Sequence, residues 1–591
     1  MRHQTLDLRL SNLITMTTLS MKTATGFGLF ILMLCGIGCG DQSGAAPARA
    51  GTVSSNFIEG NTASEAADPT QSAASPSPDK AGLAPAEGAA LAAFGFGEKA
   101  EIRDLDTWPD GSVVACGVLF DGAEPPGDGT AQNLLSGDYD GGLRPFVMKL
   151  SGGIDRLAWF SLLPADTIDP TRVLALSDGG VAIGGKHLKE LAALDQSGSN
   201  WKKSRAALMV FNADGGSVRW MAPGGPNQDV ITGMTESSGR LYFTAGSFVR
   251  SASNYILRKD IQSGEQVEWA ETGWCVYLHT NQEALQADGQ FMHFYRKSYE
   301  SKDGFDYDGP EGWGPVRFYV KGFRIGGQVV ALPDGDIVVT SCLQYDFREK
   351  GKKGFPAFDL LVARYSSEGE LRWSTNLYQP GDSVHTPDQK PVDLTYDPRS
   401  DSLYVLAKQH GSNVYRFKGK LVGDTGNLMI SWLGKVDASS GDLEDGWYFQ
   451  TNRLGNFEAN GIPKSPPYPK LSGNSLQRVR VGNDGLIYVA GSGAPKTWTT
   501  EDAWQKWPAE KQGGGLPVVI ALTPDLKTVQ FASCFFAEGD GGRINGLAVT
   551  PHTIVVGGRA VPTGGVAERC RSTGWSDSSE TTAGCMLWTL K

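Results

Sequence analysis

Apolar and polar positions along this chain alternate in short runs, and the runs are punctuated by Asp-Gly. The stretch NDGLIYVAG (Asn483–Gly491) shows the unit: a two-residue turn, an apolar strand, a closing glycine. The phrase recurs as PDGSVVACG (Pro109–Gly117), SDGGVAIGG (Ser177–Gly185), SSGRLYFTAG (Ser237–Gly246) and PDGDIVVTS (Pro333–Ser341). Weaker copies are RSDSLYVLAK (Arg399–Lys408) and TPHTIVVGG (Thr550–Gly558). Asp-Gly between alternating apolar residues is a strong short-range hairpin signal. Roughly seven copies, about 55 to 100 residues apart, predict an array of hairpin units.

Each unit has a second half, an apolar strand, a polar turn and a strand that often ends in Trp. Examples are FVMKLSGGIDRLAW (Phe146–Trp159), ALMVFNADGGSVRW (Ala207–Trp220), YILRKDIQSGEQVEW (Tyr255–Trp269) and LLVARYSSEGELRW (Leu360–Trp373). VVIALTPDLKTVQF (Val518–Phe531) ends in Phe instead. The pattern predicts four antiparallel strands per unit, A and B joined by the Asp-Gly turn, C and D by a second turn. Such units repeated around an axis make an all-β fold, a single β-propeller, which solves the edge-strand problem. The recurring Trp then reads as packing between adjacent units rather than as a cofactor box. At the ends, MLWTLK (Met586–Lys591) looks like strand C without D, and ALAAFGFG (Ala90–Gly97) like strand D without C. The expectation is seven four-stranded blades, with the N-terminal strand completing the last one and closing the ring. The insertion between Trp269 and Phe323, with ADGQFMHFY (Ala287–Tyr295) and VRFYVKGF (Val316–Phe323), leaves eight blades as the alternative. An excursion is preferred, because that unit would lack a D strand.

These units resemble the seven-bladed propeller repeats of bacterial exported lipoproteins, related to the delta-60 type. They are more loosely similar to the Trp-docked blades of quinoprotein dehydrogenases. The likeness covers about residues 90–591 and implies architecture without an activity.

The N-terminus changes the picture by adding an address. Met21-Lys22 precedes TGFGLFILMLCGIG (Thr25–Gly38), an apolar run of secretory length and short for a membrane span. It ends in Gly36-Ile37-Gly38-Cys39, which resembles the lipobox of bacterial lipoproteins, with Gly36 where Leu is usual. The resemblance implies lipidation at Cys39, with Met21 as a possible true start, and the alternative is an ordinary cleaved signal peptide. Residues 1–39 are therefore read as a signal peptide. Residues 40–90, rich in Ala, Ser, Pro and Gly, cannot bury enough apolar surface to offset ordering entropy and read as a disordered tether. The β-propeller is assigned to 91–591, and the chain is expected in the bacterial cell envelope, at the outer membrane or cell surface. A formal net charge of -11 argues against nucleic acid as a partner. A monomer is expected, meeting the membrane through its lipid alone.

Six cysteines remain beyond Cys35 and Cys39, without a C-x-x-C pair, so an exported chain favours disulfides over zinc. Cys570 and Cys585 bracket a Gly/Ser/Thr loop and are paired first. Cys116 and Cys342 sit in equivalent strands and read equally as buried thiols.

Strands alternate in direction, so A–B and C–D turns share one face and B–C and D–A connections the other. The first set is short and the second carries the insertions, including Leu119–Leu143, Leu343–Ala357, Ala494–Gly515 and Gly441–Asn474. Long loops on a rigid scaffold are usually functional. They carry Trp447, Tyr448, Trp498, Trp504, Trp507 and Trp575. TTEDAWQKW (Thr499–Trp507) predicts a short helix with a threonine cap, with Trp504 and Trp507 on one face. These aromatics form either a stacking platform for an envelope glycan or protein partner, or staples that hold the loops down. DGFDYDGPEG (Asp303–Gly312) gathers Asp303, Asp306, Asp308 and Glu311 as a possible calcium loop, although Gly304 breaks the EF-hand pattern. No other cofactor is expected. The basic run REKGKK (Arg348–Lys353) reads as a solvated tip.

The sequence lacks G-x-S-x-G, a Walker loop, G-x-G-x-x-G and H-E-x-x-H. The favoured function is a binding or scaffolding module acting through the elaborated face. The alternative is an exported enzyme using the central funnel, polysaccharide-cleaving or quinoprotein-like. The quinoprotein version lacks adjacent cysteines; the polysaccharide version needs acids converging from different blades.

Overall fold

In the computed structural model the described residues run from Leu91 to Thr589, outside 97–99, 121–130, 134–141, 153–155, 189–204, 225–228, 247–254, 266–304, 309–314, 326, 350–354, 378–387, 411–413, 418–419, 425–429, 451–452, 457–474, 494–498, 504–515, 535–542, 551–552, 560–569 and 573–582. They contain strands, turns and bends and no helix. Cys39 and the tether lie outside them.

Strand β1 (Leu91–Phe96) stands apart from its sequence neighbours. The first sheet is the meander β2 (Ala100–Thr107), β3 (Val113–Leu119), β5 (Arg144–Leu150) and β6 (Leu157–Leu162), with β4 (Ala131–Asn133) running parallel to β6. A second is β7 (Ile168–Ala175), β8 (Val181–His187), β9 (Ala206–Phe211) and β10 (Val218–Pro223). A third is β11 (Val230–Ser237), β12 (Arg240–Gly246) and β13 (Tyr255–Asp260). Next come β14 (Phe305–Asp308), β15 (Pro315–Ile325), β16 (Val329–Ala331), β17 (Ile337–Glu349), β18 (Phe355–Tyr365) and β19 (Leu371–Asn376). They share one sheet with β20 (Asp388–Asp397), β21 (Ser402–His410), β24 (Ile430–Asp437), β25 (Leu443–Gln450) and β26 (Arg453–Asn456), while β22 (Val414–Phe417) and β23 (Lys420–Asp424) form a separate hairpin. The meander β27 (Ser475–Val481), β28 (Ile487–Gly493), β29 (Leu516–Leu522) and β30 (Val529–Cys534) follows. The last sheet holds β31 (Arg543–Val549), β32 (Thr553–Arg559), β33 (Cys570–Ser572) and β34 (Ala583–Thr589), ordered β31-β32-β34-β1-β33.

The architecture is a β-propeller, with antiparallel sheets stacked face to face and the core divided between neighbours. Cys116, Val147 and Trp159 of the first sheet meet Val181, Ile183 and Phe211 of the second. Leu208 and Val210, on the other face of the second, meet Leu241 and Phe243 of the third. Successive side chains point to opposite faces, so a strand as apolar as β3 is buried throughout. The expected seven separate sheets are not what is found: six multi-stranded sheets and a hairpin are seen among the described residues. The difference comes from one parallel contact, Phe358 to Asp388, which joins two meanders into an eleven-stranded sheet.

Four Asp-Gly turns share one construction. The carboxylates of Asp110, Asp178, Asp334 and Asp484 accept the backbone N–H two residues on, at 2.8, 2.9, 3.0 and 3.0 Å. The glycine takes a positive φ of 81 to 90°. Aspartate supplies the local acceptor and glycine the left-handed residue.

Two insertions differ from expectation. Leu343–Ala357 extends a hairpin: β17 and β18 stay in register from Ile337↔Tyr365 to Phe347↔Phe355. VRFYVKGF lies in β15, which pairs with the far half of β17 and so lengthens an existing sheet.

The recurring Trp docks one sheet on the next. Trp159, Trp220 and Trp373 lie against the C–D turn glycines Gly215, Gly264 and Gly441 of the following meander, where a Cβ would fall 2.6 Å from the ring in each case. Trp220 and Trp373 also donate Nε1–H to the carbonyls of Ile261 and Ala438 in those turns, at 2.8 and 3.0 Å. The ring thus needs a glycine twice over, for space and for φ.

Gly264→Ala should cost on the order of 2–4 kcal/mol, because it meets Trp220 and holds φ at +72°. Gly239→Ala, at φ +71° with nothing within 4 Å, should cost about 1 kcal/mol. Urea denaturation of both variants tests this, and equal losses would remove the docking role.

Candidate functional site

The innermost strand of each sheet exposes one edge towards the axis. These strands lie against one another in a series: β2 beside β7, β7 beside β11, β11 beside β16, β16 beside β20, β20 beside β27, β27 beside β31, and β31 beside β2. Their register with the second strand slips at equivalent places, Ile102/Asp104, Pro170/Arg172, Ile231/Gly233, Pro391/Asp393, Leu476/Arg478 and Ile544/Gly546. A bulge re-aims side chains, and the residues after the slip build a polar collar.

Asp104 accepts the Val173 N–H at 3.1 Å with one oxygen and Arg478 Nε–H at 2.9 Å with the other. Asp106 accepts the Ala175 N–H at 2.8 Å. Asp393 accepts the Val479 N–H at 2.9 Å and Arg480 at 2.7 Å. Arg172 donates Nε–H to the carbonyl of Thr232 at 2.6 Å, and Thr235 Oγ1 accepts the Ala331 N–H at 3.2 Å. In each contact a side chain of one inner strand satisfies the backbone edge or the charge of another, as buried polar groups require. Asp104 and Arg478 come from sheets that flank the last one. There β31 presents Gly546, where a Cβ would lie 2.8 Å from the Leu105 nitrogen, so β2 and β31 approach closely. At the end of the collar nearer the B–C connections, Glu101 pairs with Arg543 and, at 3.3 Å, with Arg103, and accepts from Asn545 at 2.8 Å.

Crowding sets the electrostatics. Asp106 is half-buried by accessible surface, yet protein surrounds its carboxylate, and this desolvation lifts its pKa to about 6 against the pull of the Ala175 N–H and Arg480. Desolvation, followed by the nearby Arg478, brings Arg172 down to about 10. Burial would also lower Arg480, but the carboxylates of Asp393, Asp104 and Asp106 outweigh it and hold its pKa above the usual value. Lys408 is lowered to about 8 by desolvation and then by Arg478 and Lys390.

The aromatic candidates fare differently. Trp447 and Tyr448 are not displayed on a loop: DGWYFQ is part of β25, and both side chains are buried on opposite faces, in the cores shared with the next and previous meanders. The apolar alternation of that strand was hidden by the acidic residues before it. Trp498, Trp504, Trp507 and Trp575 lie outside the described residues. Of the expected short helix, residues 499–503 form a turn docked on β30, where Thr500 N–H donates to the Ala532 carbonyl at 3.0 Å.

In the calcium candidate, Asp306 and Asp308 lie in strand β14, opposite Arg317 and Pro315 of β15, rather than in a turn. Asp303 and Glu311 are outside the described residues. Among the described residues no group of three or more metal-ligating side chains forms. Cys570 pairs with Leu91 on one side of β1 and Cys585 with Phe94 on the other. Strand β1 therefore runs between them, and two strand spacings of about 4.8 Å exceed the usual disulfide Cα separation. The register does not bring the pair together. Cys116 and Cys534 are free buried thiols, and burial raises both pKa values.

The collar itself went unread in the sequence. Its signal is charge at period two just before the turn, as in RDLD (Arg103–Asp106) and RVR (Arg478–Arg480), where a half-buried strand should carry apolar residues.

No protein-family model and no curated protein matches the chain. Among solved structures it is similar to hydrazine synthase of Kuenenia stuttgartiensis, with TM-score 0.37 and 10% identity over 76% of this chain and 99% of that one. It is also similar to BamB from Moraxella catarrhalis, with TM-score 0.30 and 12% identity over 79% and 96%. The α-L-arabinanase of Penicillium chrysogenum gives TM-score 0.32 and 9% identity over 71% and 93%. Likeness at this level carries no argument about activity or ligand.

Breaking the buried Asp104–Arg478 pair from either side, with Asp104→Ala or Arg478→Ala, should cost on the order of 3 kcal/mol. The double variant should lose less than the sum, and additive losses in a denaturation cycle would show that the pair is not coupled. Asp106 tests the pH dependence. Its folded pKa of about 6 lies above the ordinary 3.8, so the charged group costs stability at neutral pH, and the cost fades as pH falls from about 6 towards 4. Asp106→Asn should add about 1–2 kcal/mol at pH 7.5 and nothing near pH 4. A loss at pH 7.5 would mean that attraction to Arg480 outweighs desolvation.

Proposed function

We propose that this chain is an exported, lipid-anchored β-propeller of seven blades that serves as a binding or scaffolding module through the loops of one face. The blade count treats the eleven-stranded sheet as two blades divided at the Phe358 to Asp388 contact. The series of seven inner strands that returns from β31 to β2 supports that count. The antiparallel pairing of β1 with β34, from Ala92↔Leu587 to Phe96↔Ala583, supports closure by the N-terminal strand. Cys39 would carry the lipid and residues 40–90 would hold the propeller away from the bilayer.

The observation that carries the binding reading is the use made of the central charges. Asp104, Asp393 and Arg172 are engaged in latching inner strands to one another, which suits a rigid scaffold that presents loops. Long connections leave the opposite end from the Asp-Gly turns, so partner recognition is assigned to that end, with an envelope glycan or protein as partner. A second reading, an exported enzyme using the funnel, draws on Asp106, since a carboxyl with a pKa near 6 is suited to proton transfer.

A thermal-shift screen of the full chain against neutral glycans and calcium tests the module reading, because a ligand that raises the melting point binds the folded state preferentially. We expect a glycan to raise it, and the rise to vanish in Trp504→Ala/Trp507→Ala with the unliganded melting point nearly unchanged. A large loss of stability in that variant would make the two rings structural. Turnover of a polysaccharide that disappears in Asp106→Asn would favour the enzyme instead.

A further inference from the structure

Two hairpins stand side by side at the loop-rich end of the eleven-stranded sheet, β14–β15 and the far halves of β17 and β18. Their registers align one row across all four strands: Phe305↔Phe318, Phe318↔Phe347 and Phe347↔Phe355. Residues two along each strand share that face. The next row outward holds Tyr307, Val316 and Glu349, and the next row inward Val320, Tyr345 and Ala357. The opposite face is of another kind. Asp306, Arg317 and Arg348 make one of its rows, and Tyr319, Asp346 and Pro356 the next. An antiparallel sheet divided in this way has one face suited to water and one suited to an apolar neighbour.

Position makes the division matter. Ile337 and Val339 of β17 pack with Tyr242 of β12 in the core between the two sheets. Alternation puts Tyr345 and Phe347 on that same side of β17, further along the strand. Phe347 is eight residues past Val339, whereas β12 ends four past Tyr242, at Gly246. The Phe row therefore stands about 13 Å beyond the last residue of β12. Four strands by three rows make a face of roughly 400 Å², a size at which an apolar patch marks a partner or membrane site. Charge adds to this. The connection between Phe347 and Phe355 reads REKGKKG, four cations against one acid in a chain of net charge -11.

We propose that the face bearing the row Phe305, Phe318, Phe347 and Phe355 docks on an anionic lipid surface, with the cations that follow Phe347 meeting the lipid phosphates. The composition of the face selects lipid over glycan. A sugar stacked on aromatic residues also needs polar partners for its hydroxyls, and the three rows are apolar apart from two tyrosines and Glu349. Aromatic residues and cations both favour the bilayer interface. An anionic surface repels a chain of this net charge except where its cations gather. The proposal goes beyond the module reading, in which the lipid anchor alone meets the membrane, and does not depend on that anchor.

The test uses the chain from Gly40 onward, which omits the apolar run and Cys39 and keeps the whole compact unit Pro78–Lys591. Vesicles of phosphatidylglycerol and phosphatidylethanolamine are the probe, with phosphatidylcholine vesicles as the neutral control. Binding is read by co-flotation, self-association by sedimentation and folding by melting point. We expect binding to the anionic vesicles that weakens as salt is raised. Phe318→Thr/Phe347→Thr should weaken it about tenfold or more, with the vesicle-free melting point nearly unchanged. Lys352→Glu/Lys353→Glu should weaken it about tenfold on the anionic vesicles alone. The proposal is overturned if the parent does not bind, or if the double Phe variant binds as tightly as the parent. A melting point several degrees lower in that variant also overturns it, because the chain itself would then cover the face. A parent that dimerises without vesicles, beside a Phe variant that does not, would give the face to a second copy instead. A neutral glycan response that depends on Trp504 and Trp507 would leave the module reading standing whichever way the vesicles behave.

Discussion

A strand at the inner end of a radial sheet has one edge with no neighbour to pair with, in a place where little water can reach it. Several charged side chains of the described inner strands answer that constraint. Backbone N–H groups of Val173, Ala175 and Val479 are met by Asp104, Asp106 and Asp393 from adjoining inner strands. The Thr232 carbonyl is met by Arg172. Carboxylates gathered for this purpose repel one another, and Arg478 and Arg480 balance them. The collar is thus a set of substitutes for missing ladder bonds, made in side chains. Its charges are explained by the edge before any ligand is considered.

Further out, the same problem of joining sheets is solved by aromatic packing. A Trp at the end of one meander lies on a glycine in the next, and where its ring N–H reaches a turn carbonyl the contact has a direction as well as an area. Apolar cores between sheets are non-directional and tolerate sliding, whereas the Trp contact and the charged collar fix neighbours at the outer and inner ends. Cys116 and Cys534 belong to the apolar part and behave as small hydrophobes there.

The local order of the fold was legible in the sequence because local interactions decide it. An Asp that accepts its own turn's N–H and a Gly that takes positive φ fix each hairpin within four residues, so PDGS, SDGG, PDGD and NDGL could be read directly. The Trp at the end of the fourth strand was readable as inter-unit packing for the same reason of periodicity. Partnership between distant segments was not. Asp104 and Arg478 are 374 residues apart, and no spacing announces that two bulged strands will turn them towards each other. Nor could the sequence tell that Trp447 and Tyr448 are interior, because acidic residues interrupt the apolar alternation before them. Residue types and turns are fixed by neighbours along the chain, whereas which charges meet depends on how the sheets are stacked around the axis.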